Sequence, residues 1–337
     1  MATACAIVGL DINASQWVEA IGAAVKSGVI EVVATGQPFL NQARESGTLF
    51  DVPFYADMRR MLLETSPRIA IVDRSARISL DFIEALLNQG IGVFSIGPPI
   101  HSLNEAHRIA QILEPVSHLL YIWPRMSQSW AMRQCLQTGG FLKSPRFISA
   151  QFHAPGLMMN RKRQSADSFV RNMAVPAWDA MRTILEIGGS PAGLFSSIVG
   201  NAGERDSFAG ISGHAACIAR FLNSATAAVT ISDRDPHWQR NITVVSDEGT
   251  VRITDASYQF FDPSGKCVEE DSIPPQPVSR SIADELEIFC QHFSAPVSPS
   301  RGWPHLLPET ASMLTAMILS QRTGMSESPM HLRSLAT

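Results

Sequence analysis

Short apolar runs alternate with amphipathic stretches over the first third of the chain. The runs predict strands at Ala4–Gly9, Ile30–Thr35, Ile69–Asp73, Gly92–Ile96 and Leu119–Ile122. The stretches between them have helical periodicity and predict helices at Ala14–Ser27, Phe54–Glu64, Leu80–Gln89 and Leu103–Leu113. Strands that alternate with helices in this way are typical of a doubly wound α/β domain with a parallel sheet.

From Arg146 onward the pattern changes to β-prone segments separated by turn residues. Strands are predicted at Arg146–His153, Leu194–Val199, Ala215–Leu222, Thr226–Ser232, Asn241–Ser246 and Thr250–Thr254. Such a series favours one mostly antiparallel sheet in an α+β domain. Helices are expected at Pro176–Glu186, Ile282–His292 and Pro308–Arg322, and the tail after Gly324 is expected to fray.

These patterns predict two domains. The first covers residues 1–122 and the second covers 123–325, followed by a tail at 326–337. The helices at 282–322 are expected to return toward the first domain. A chain of 337 residues is long enough for two domains with separate cores.

Composition narrows the classes of function. The chain is 45% hydrophobic and 17% charged, and no apolar run approaches the length needed to cross a bilayer, so no membrane partner is expected. The formal net charge of −4 and the short basic clusters argue against nucleic-acid binding. Five scattered cysteines predict a reduced, cytoplasmic protein without a disulfide framework or a metal site.

Several local strings carry a resemblance to a known family. They are GIGVFSIGPPIHSLNEAHRIAQIL at 90–113, the Lys-Ser-Pro-Arg step at 143–146, the Ala-Trp-Asp-Ala-Met-Arg segment at 177–182, and EGTVRITDASYQFFD at 248–262. In their order and spacing the chain resembles the glucose-fructose oxidoreductase, inositol dehydrogenase and MocA-like family of nicotinamide-dependent oxidoreductases over nearly its whole length.

The resemblance implies a Rossmann-type first domain that binds NAD or NADP and a second domain for substrate binding and dimerisation through its sheet. It places the cofactor at Gly9, Leu10, Asp11, Ile12, Thr35, Asp73, Arg74, Gly97 and Pro98. It places the substrate cleft at Arg125, His153, Lys162, Asn172 and Asp179.

The glycine-rich turn of that family is altered. Its GxGxxG pattern lets backbone amides approach the pyrophosphate, but this chain reads Gly9-Leu10-Asp11-Ile12-Asn13-Ala14. Asp11 therefore puts a negative charge where a dianionic group would bind; alternatively, Asp11 and Asn13 cap the first helix, with Asn13 and Gln16 as a capping-box-like pair. Two like charges about 4 Å apart repel by roughly 4 kcal/mol at an effective dielectric constant near 20, on the order of a thousandfold in affinity.

Two further cofactor positions have also changed. The family's acidic residue at the end of the second strand, which binds the ribose hydroxyls, is matched by Thr35. The family's Glu-Lys-Pro motif, whose lysine lies beside the nicotinamide, is matched by Ile96-Gly97-Pro98. A neighbouring lysine does not replace it, because the sequence has none between Lys26 and Lys143.

The acid and the histidine that take the proton in the family have changed as well. The resemblance matches them with Asn172 and Pro176, and no histidine lies between His153 and His214. Asp179 remains, and we interpret it as a first-turn acid that favours the helix dipole. Its alternative role is in the substrate cleft.

Three hypotheses are compatible with this sequence. The first is a non-catalytic binding or regulatory homologue, motivated by the joint changes at Asp11, Gly97, Asn172 and Pro176. The second is an active, divergent NAD(P)-dependent oxidoreductase that acts on a sugar, cyclitol or related small polar substrate. The third is an interaction protein that uses the exposed face of its second sheet, with a homodimer as the expected assembly.

Overall fold

A computed structural model describes residues 2–10, 15–36, 49–73, 78–138, 144–155, 166–188, 192–202, 211–235, 237–294 and 306–335. The chain divides into two compact units. The first comprises Met1–Ile100, Arg108–Trp123 and Pro277–His305. The second comprises His101–His107, Pro124–Gln276 and Leu306–Thr337.

A six-stranded parallel sheet forms the centre of the first unit. Its strands are β1 (Thr3–Val8), β2 (Ile30–Gly36), β3 (Phe54–Tyr55), β4 (Ile69–Asp73), β5 (Gly92–Ile96) and β6 (Leu120–Trp123), in the order β3-β2-β1-β4-β5-β6. The intervening helices are α1 (Ser15–Lys26), α2 (Met58–Thr65), α3 (Leu80–Asn88) and α4 (Leu103–Leu113). Strands β1 and β4 are apolar runs because a parallel sheet is covered on both faces.

A late helix, α7 (Val278–Ser294), completes the first unit. Its Phe289 packs against Phe94 and Tyr121, whose rings stack with centroids 5.1 Å apart. The Tyr121 hydroxyl donates a 2.6 Å hydrogen bond to the buried carboxylate of Glu285 on the same helix. A helix distant in sequence is therefore joined to the sheet by both apolar packing and a buried polar contact.

An eight-stranded mixed sheet forms the second unit. Its strands are β7 (Pro145–Pro155), β8 (Ala192–Ala202), β9 (Ile211–Phe221), β10 (Thr226–Asp235), β11 (Gln239–Ser246), β12 (Gly249–Ile253), β13 (Ser257–Phe261) and β14 (Cys267–Ser272). They lie in the order β14-β13-β12-β11-β7-β10-β9-β8. Strands β7 and β10 pair in parallel, and the other neighbours pair antiparallel.

Helices cover one face of this sheet. They include α5 (Trp130–Thr138), α6 (Ala166–Gly188), α8 (Leu307–Thr323) and α9 (Pro329–Leu335), and α6 packs against β7, β9 and β10. Burial alternates along β11, where Arg240, Ile242 and Val244 are buried and the residues between them are partly exposed. The strands therefore have a covered face and an open face, as half-buried antiparallel strands do.

The structure confirms the predicted fold class and corrects several elements. Helix α6 begins at Ala166, so the predicted start at Pro176 is wrong and this proline lies inside the helix. Proline is favoured in a first helical turn, but here the buried neighbours Ala177, Trp178 and Met181 sustain the helix through packing.

Three smaller predictions were also incomplete. Phe54 and Tyr55 form a short strand instead of starting a helix, because they pair with the end of β2. The polar strand β14 was not predicted, since it lacks the apolar alternation that marks a half-buried strand. The tail contains helix α9 where fraying was expected.

Candidate functional site

The carboxyl edge of the first sheet is where ligands bind in doubly wound folds, at the point where the strand order reverses. Here that point lies between β1 and β4. Gly9 follows β1 with φ at +77° and donates its N–H to the Gly36 carbonyl at 2.9 Å. Gly9 thus has a left-handed backbone conformation that favours glycine, directly after β1.

Thr35, at the end of β2, does not reach solvent. Its side chain is 1% exposed, its N–H donates to the Pro53 carbonyl, and its Oγ1 has no hydrogen-bond partner among the described residues. The next residue, Gly36, is covered by α2, since a side chain there would meet the Met61 sulfur at 3.0 Å. The Thr35 hydroxyl is therefore buried and does not face solvent in the part of the chain that the structure describes.

The turn at Gly97 keeps its geometry without a functional side chain. Gly97 has φ at +75°, a conformation that favours glycine. Its N–H donates to the Trp123 carbonyl at 2.9 Å, and its carbonyl accepts from Ser95 Oγ at 2.7 Å. With Pro98 buried beside it, the turn is fixed by backbone contacts and carries no group that can transfer a proton.

The remaining predicted cofactor positions are only partly described. Leu10 is buried at 3% exposure and Asp73 is partly exposed. Asp11, Ile12 and Arg74 lie outside the described residues.

Asp179 is the centre of a buried charge cluster in the second unit. It is fully buried near the middle of α6, so the interpretation as a first-turn acid is wrong. One carboxylate oxygen accepts the Met126 N–H at 2.9 Å and an Arg182 nitrogen at 3.1 Å. The other oxygen accepts Arg240 at 2.7 Å.

Arg125 belongs to the same cluster. Its guanidinium contacts Glu186 at 2.6 Å and the Ser127 hydroxyl at 2.9 Å, and its side chain is 6% exposed. Arg182 donates to the Pro124 carbonyl, and Arg240 also contacts Asp255 at 2.6 Å. We call this set the Asp179 cluster, and its charged members are Arg125, Asp179, Arg182, Glu186, Arg240 and Asp255.

The cluster holds the segment that follows β6. Asp179, Arg182 and Glu186 are spaced three and four residues apart, which places them on one face of α6. They contact the Met126 N–H, the Pro124 carbonyl and the Arg125 guanidinium respectively. Because its carboxylates and guanidiniums contact one another and the backbone at 124–126, the cluster fixes this segment against α6.

His153 forms a separate pair at the end of β7. Its Nδ1 lies 3.1 Å from Asp235 Oδ2, and the two side chains are 24% and 26% exposed. The contact follows from the parallel pairing of β7 and β10, where Ser232 is opposite His153 and Asp235 is opposite Pro155. The His237 backbone N–H, donated at 2.9 Å, and then His153 lower the pKa of Asp235 below its ordinary value.

The predicted cleft residues therefore fall into different settings. Arg125 and Asp179 lie in one cluster, and His153 lies in the other pair. Lys162 is outside the described residues, and Asn172 is described only as part of helix α6. Sequence reasoning missed Asp235 and Arg240, which lie 82 and 61 residues from their partners and so give no signal in spacing.

No group of three or more histidine, cysteine, aspartate or glutamate side chains is arranged for a metal ion in the described ranges. Within the same part of the chain, every helix is too short or too polar to cross a bilayer. No disulfide joins Cys5, Cys135, Cys217, Cys267 or Cys290 in the described part of the chain, and burial raises the pKa of the Cys290 thiol to about 12.

Solved structures similar to this chain are oxidoreductases. An oxidoreductase from Thermotoga maritima matches with a TM-score of 0.74 at 16% identity, covering 98% of this chain and 100% of the other. An oxidoreductase from Agrobacterium radiobacter, in complex with NAD+, L-tartaric acid and magnesium, matches with a TM-score of 0.73 at 13% identity over 98% and 100% of the two chains.

A third match is myo-inositol 2-dehydrogenase from Lactobacillus plantarum, with a TM-score of 0.69 at 14% identity over 97% of this chain and 99% of that one. This chain has the fold of these enzymes. No protein-family model matches it. A search of curated proteins gives no significant match.

Proposed function

We propose that this chain is a divergent member of the glucose-fructose oxidoreductase, inositol dehydrogenase and MocA-like family that binds a small ligand and does not transfer hydride. The similarity of fold over both units supports the family. The main observation in favour of a non-catalytic protein is the Asp179 cluster. Asp179 is fully buried there and accepts hydrogen bonds from Arg182 and Arg240.

The other family positions support the same proposal. Gly97 and Pro176 have no side-chain group that can give or take a proton. Asn172 replaces the carboxylate with an amide, which does not titrate. The chain therefore keeps the fold, but the residues at these positions do not supply the family's acid–base chemistry.

Nicotinamide nucleotide binding is expected to be weak, and the charge of Asp11 is the proposed reason. We expect NAD and NADP to bind the wild-type chain poorly, because the carboxylate opposes the pyrophosphate. Isothermal titration calorimetry with the oxidised and reduced forms of both nucleotides tests this. The Asp11→Gly variant is expected to gain affinity by up to about a thousandfold.

The control for this experiment is Glu19→Gln, which removes an exposed negative charge from α1 and leaves the turn intact. It is expected to bind like the wild type. Tight wild-type binding, together with turnover of a nucleotide with a sugar, cyclitol or imino substrate, would contradict the proposal.

The second candidate function is an active oxidoreductase, and the His153–Asp235 pair is the observation that favours it. A histidine oriented by a carboxylate is a common general base. Reduction of NAD+ or NADP+ with a panel of polyols, lost in a His153→Gln variant that still binds the nucleotide, would establish this candidate in place of the first.

We also propose a homodimer through the open face of the second sheet. Phe147 and Ile218 are 39% and 40% exposed on this face, where their inward neighbours Ile148 and Cys217 are buried. A second copy would cover such apolar side chains. Light scattering coupled to size exclusion is expected to give the mass of a dimer for the wild type and of a monomer for Ile218→Glu.

A further inference from the structure

A pocket lies at one end of the second sheet, where the β11–β12 and β13–β14 hairpins make their turns. Its volume is about 450 Å³, which is within the range of small-molecule sites in proteins. Its wall includes Val245, Thr250, Arg252, Phe261 and Pro263. None of these residues is among the predicted cofactor or cleft positions, so the pocket is a separate feature of the chain.

Strand register places Arg252 on the open face of the sheet, beside this pocket. Val251 and Ile253 are buried, so the exposed Arg252 between them faces the other way, as alternate residues of a strand do. Phe261 is two positions along β13 from Gln259, the residue opposite Arg252. The guanidinium carbon of Arg252 reaches this diagonal neighbour and lies 4.9 Å from the centre of the Phe261 ring. The cation–π contact therefore holds the guanidinium at the pocket wall.

The guanidinium of Arg252 has no acidic partner among the residues that the structure describes. Glu270, which follows Gln259 in the same row of the sheet, accepts a 3.0 Å hydrogen bond from the Gln259 amide. Stacking on Phe261 uses the face of the guanidinium, whereas its N–H donors lie in the guanidinium plane. These donors can therefore bind the carboxylate of a ligand without breaking the contact with the ring.

The charges that line the pocket limit the kind of anion that suits it. Arg252 is the cation of the wall and Asp262, in the β13–β14 turn, is the anion. The Ser264 hydroxyl donates to Asp262 at 2.6 Å, and this contact and the backbone N–H groups of the turn, including that of Lys266, lower the pKa of Asp262. Asp262 is therefore ionised at neutral pH, and it repels a multiply charged anion more strongly than a single carboxylate.

The rest of the wall favours an apolar group. Val245 on β11 and Phe261 on β13 are opposite Thr250 on its two sides, and Pro263 follows in the turn after β13. A side chain at Gly249 would meet the Phe261 carbonyl at 2.1 Å, so the β11–β12 turn packs directly against β13. The pocket therefore combines one unpaired guanidinium with an apolar surface.

We propose that this pocket binds a small monocarboxylate with an apolar body. The carboxylate accepts hydrogen bonds from the guanidinium of Arg252, whose donors match the two carboxylate oxygens, and the apolar body contacts Val245 and Pro263. The site is distinct from the proposed function in its place and in its ligand, and it does not depend on a nicotinamide nucleotide. Because Arg252 is exposed, the affinity is expected to fall as the salt concentration rises.

The test uses the full chain and phenylacetate as the probe. The NMR signals of the Val245 methyl groups and of the Arg252 Nε–H report where the probe binds. 2-Phenylethanol has the same apolar body without the charge, and citrate has several charges without the apolar body. We expect phenylacetate to perturb both signals and to bind at least about tenfold more tightly than either comparison compound.

Two variants make the test specific. Arg252→Gln is expected to bind phenylacetate about tenfold more weakly and to lose the salt dependence of binding, because the amide carries no charge. Arg220→Gln removes the same charge from an exposed arginine on β9 and is expected to bind like the wild type. Circular dichroism and thermal unfolding confirm that each variant is folded.

Three results would overturn the proposal. The first is equal phenylacetate affinity in wild type and Arg252→Gln, and the second is binding of 2-phenylethanol or citrate that is as tight as that of phenylacetate. The third is unchanged Val245 signals at about 10 mM phenylacetate in both the wild type and Ile218→Glu, which is included so that a second copy does not cover the pocket. The proposed function is tested separately, by nucleotide binding, and is unaffected by these results.

Discussion

The Asp179 cluster and the His153–Asp235 pair lie in the same unit and are built from similar charged groups, but they differ in their access to water. Asp179 and Arg240 are 0% and 2% exposed, whereas His153 and Asp235 are 24% and 26% exposed. Burial makes charged groups bind one another, because an unpaired charge in the interior is strongly unfavourable. Partially exposed groups of opposite charge can keep part of their hydration, so they need fewer protein partners.

This difference shows why a retained acid is not by itself a sign of retained chemistry. Asp179 remains in a segment that resembles the family, but its two oxygens accept three hydrogen bonds from Met126, Arg182 and Arg240. The ring of His153 makes one hydrogen bond, to Asp235, among the residues that the structure describes. The number of polar contacts that a side chain already makes is therefore a better guide to its role than its match to a motif.

The largest effect is expected from Asp179→Asn, which removes the central negative charge of the cluster. Arg182 and Arg240 would lose their shared carboxylate in a buried setting, so we expect a loss of about 3–5 kcal/mol in the free energy of unfolding. Thermal unfolding measures it. The control is Asp247→Asn, because the exposed ion pair of Asp247 with Arg146 should contribute little to the free energy of unfolding. An equally small change in Asp179→Asn would show that the cluster does not stabilise the fold.

A smaller loss is expected from Tyr121→Phe in the first unit. The buried Glu285 carboxylate would lose the 2.6 Å hydrogen bond that joins α7 to β6, at about 1–3 kcal/mol. Urea denaturation followed by tryptophan fluorescence measures the change. Tyr258→Phe removes a similar hydrogen bond to the less buried Glu269, so it should lower the free energy of unfolding by less. A larger loss in Tyr258→Phe than in Tyr121→Phe would contradict the dependence on burial.

The smallest change in stability is expected from Asp235→Asn, and it should depend on pH. A carboxyl group whose pKa is lowered by folding stabilises the protein above its unfolded pKa, and this contribution disappears as the pH falls through the folded value. The unfolding temperatures of wild type and variant should therefore differ slightly at pH 7 and converge toward pH 3. A difference that grows on acidification would show that the pair does not favour the ionised acid.

The sequence predicted the strands and helices of the first unit well because their apolar runs and helical periods are local. It failed where distant residues decide the structure. Pro176 suggested a helix start, but packing around Trp178 extends α6 back to Ala166. The four polar or acidic residues at 269–272 gave no strand signal, although β14 is formed by pairing with β13.

For the candidate site, the sequence indicated which positions differ from the motifs of the family it resembles. It did not indicate which contacts the residues at the other positions make. His153 was predicted from resemblance, whereas its partner Asp235 follows from the register of β7 and β10. The position of Asp179 on a helix was predicted, but its surroundings depend on Arg240, which lies on strand β11. Contacts of this kind arise from tertiary pairing, so a single sequence does not display them.

The proline within α6 has one more consequence. Because proline lacks an N–H, residue 176 does not donate the helical hydrogen bond that the carbonyl of residue 172 would otherwise accept. Helix α6 therefore has a main-chain oxygen without its usual intrahelical donor. Such an oxygen accepts hydrogen bonds at any pH, because a backbone carbonyl does not titrate.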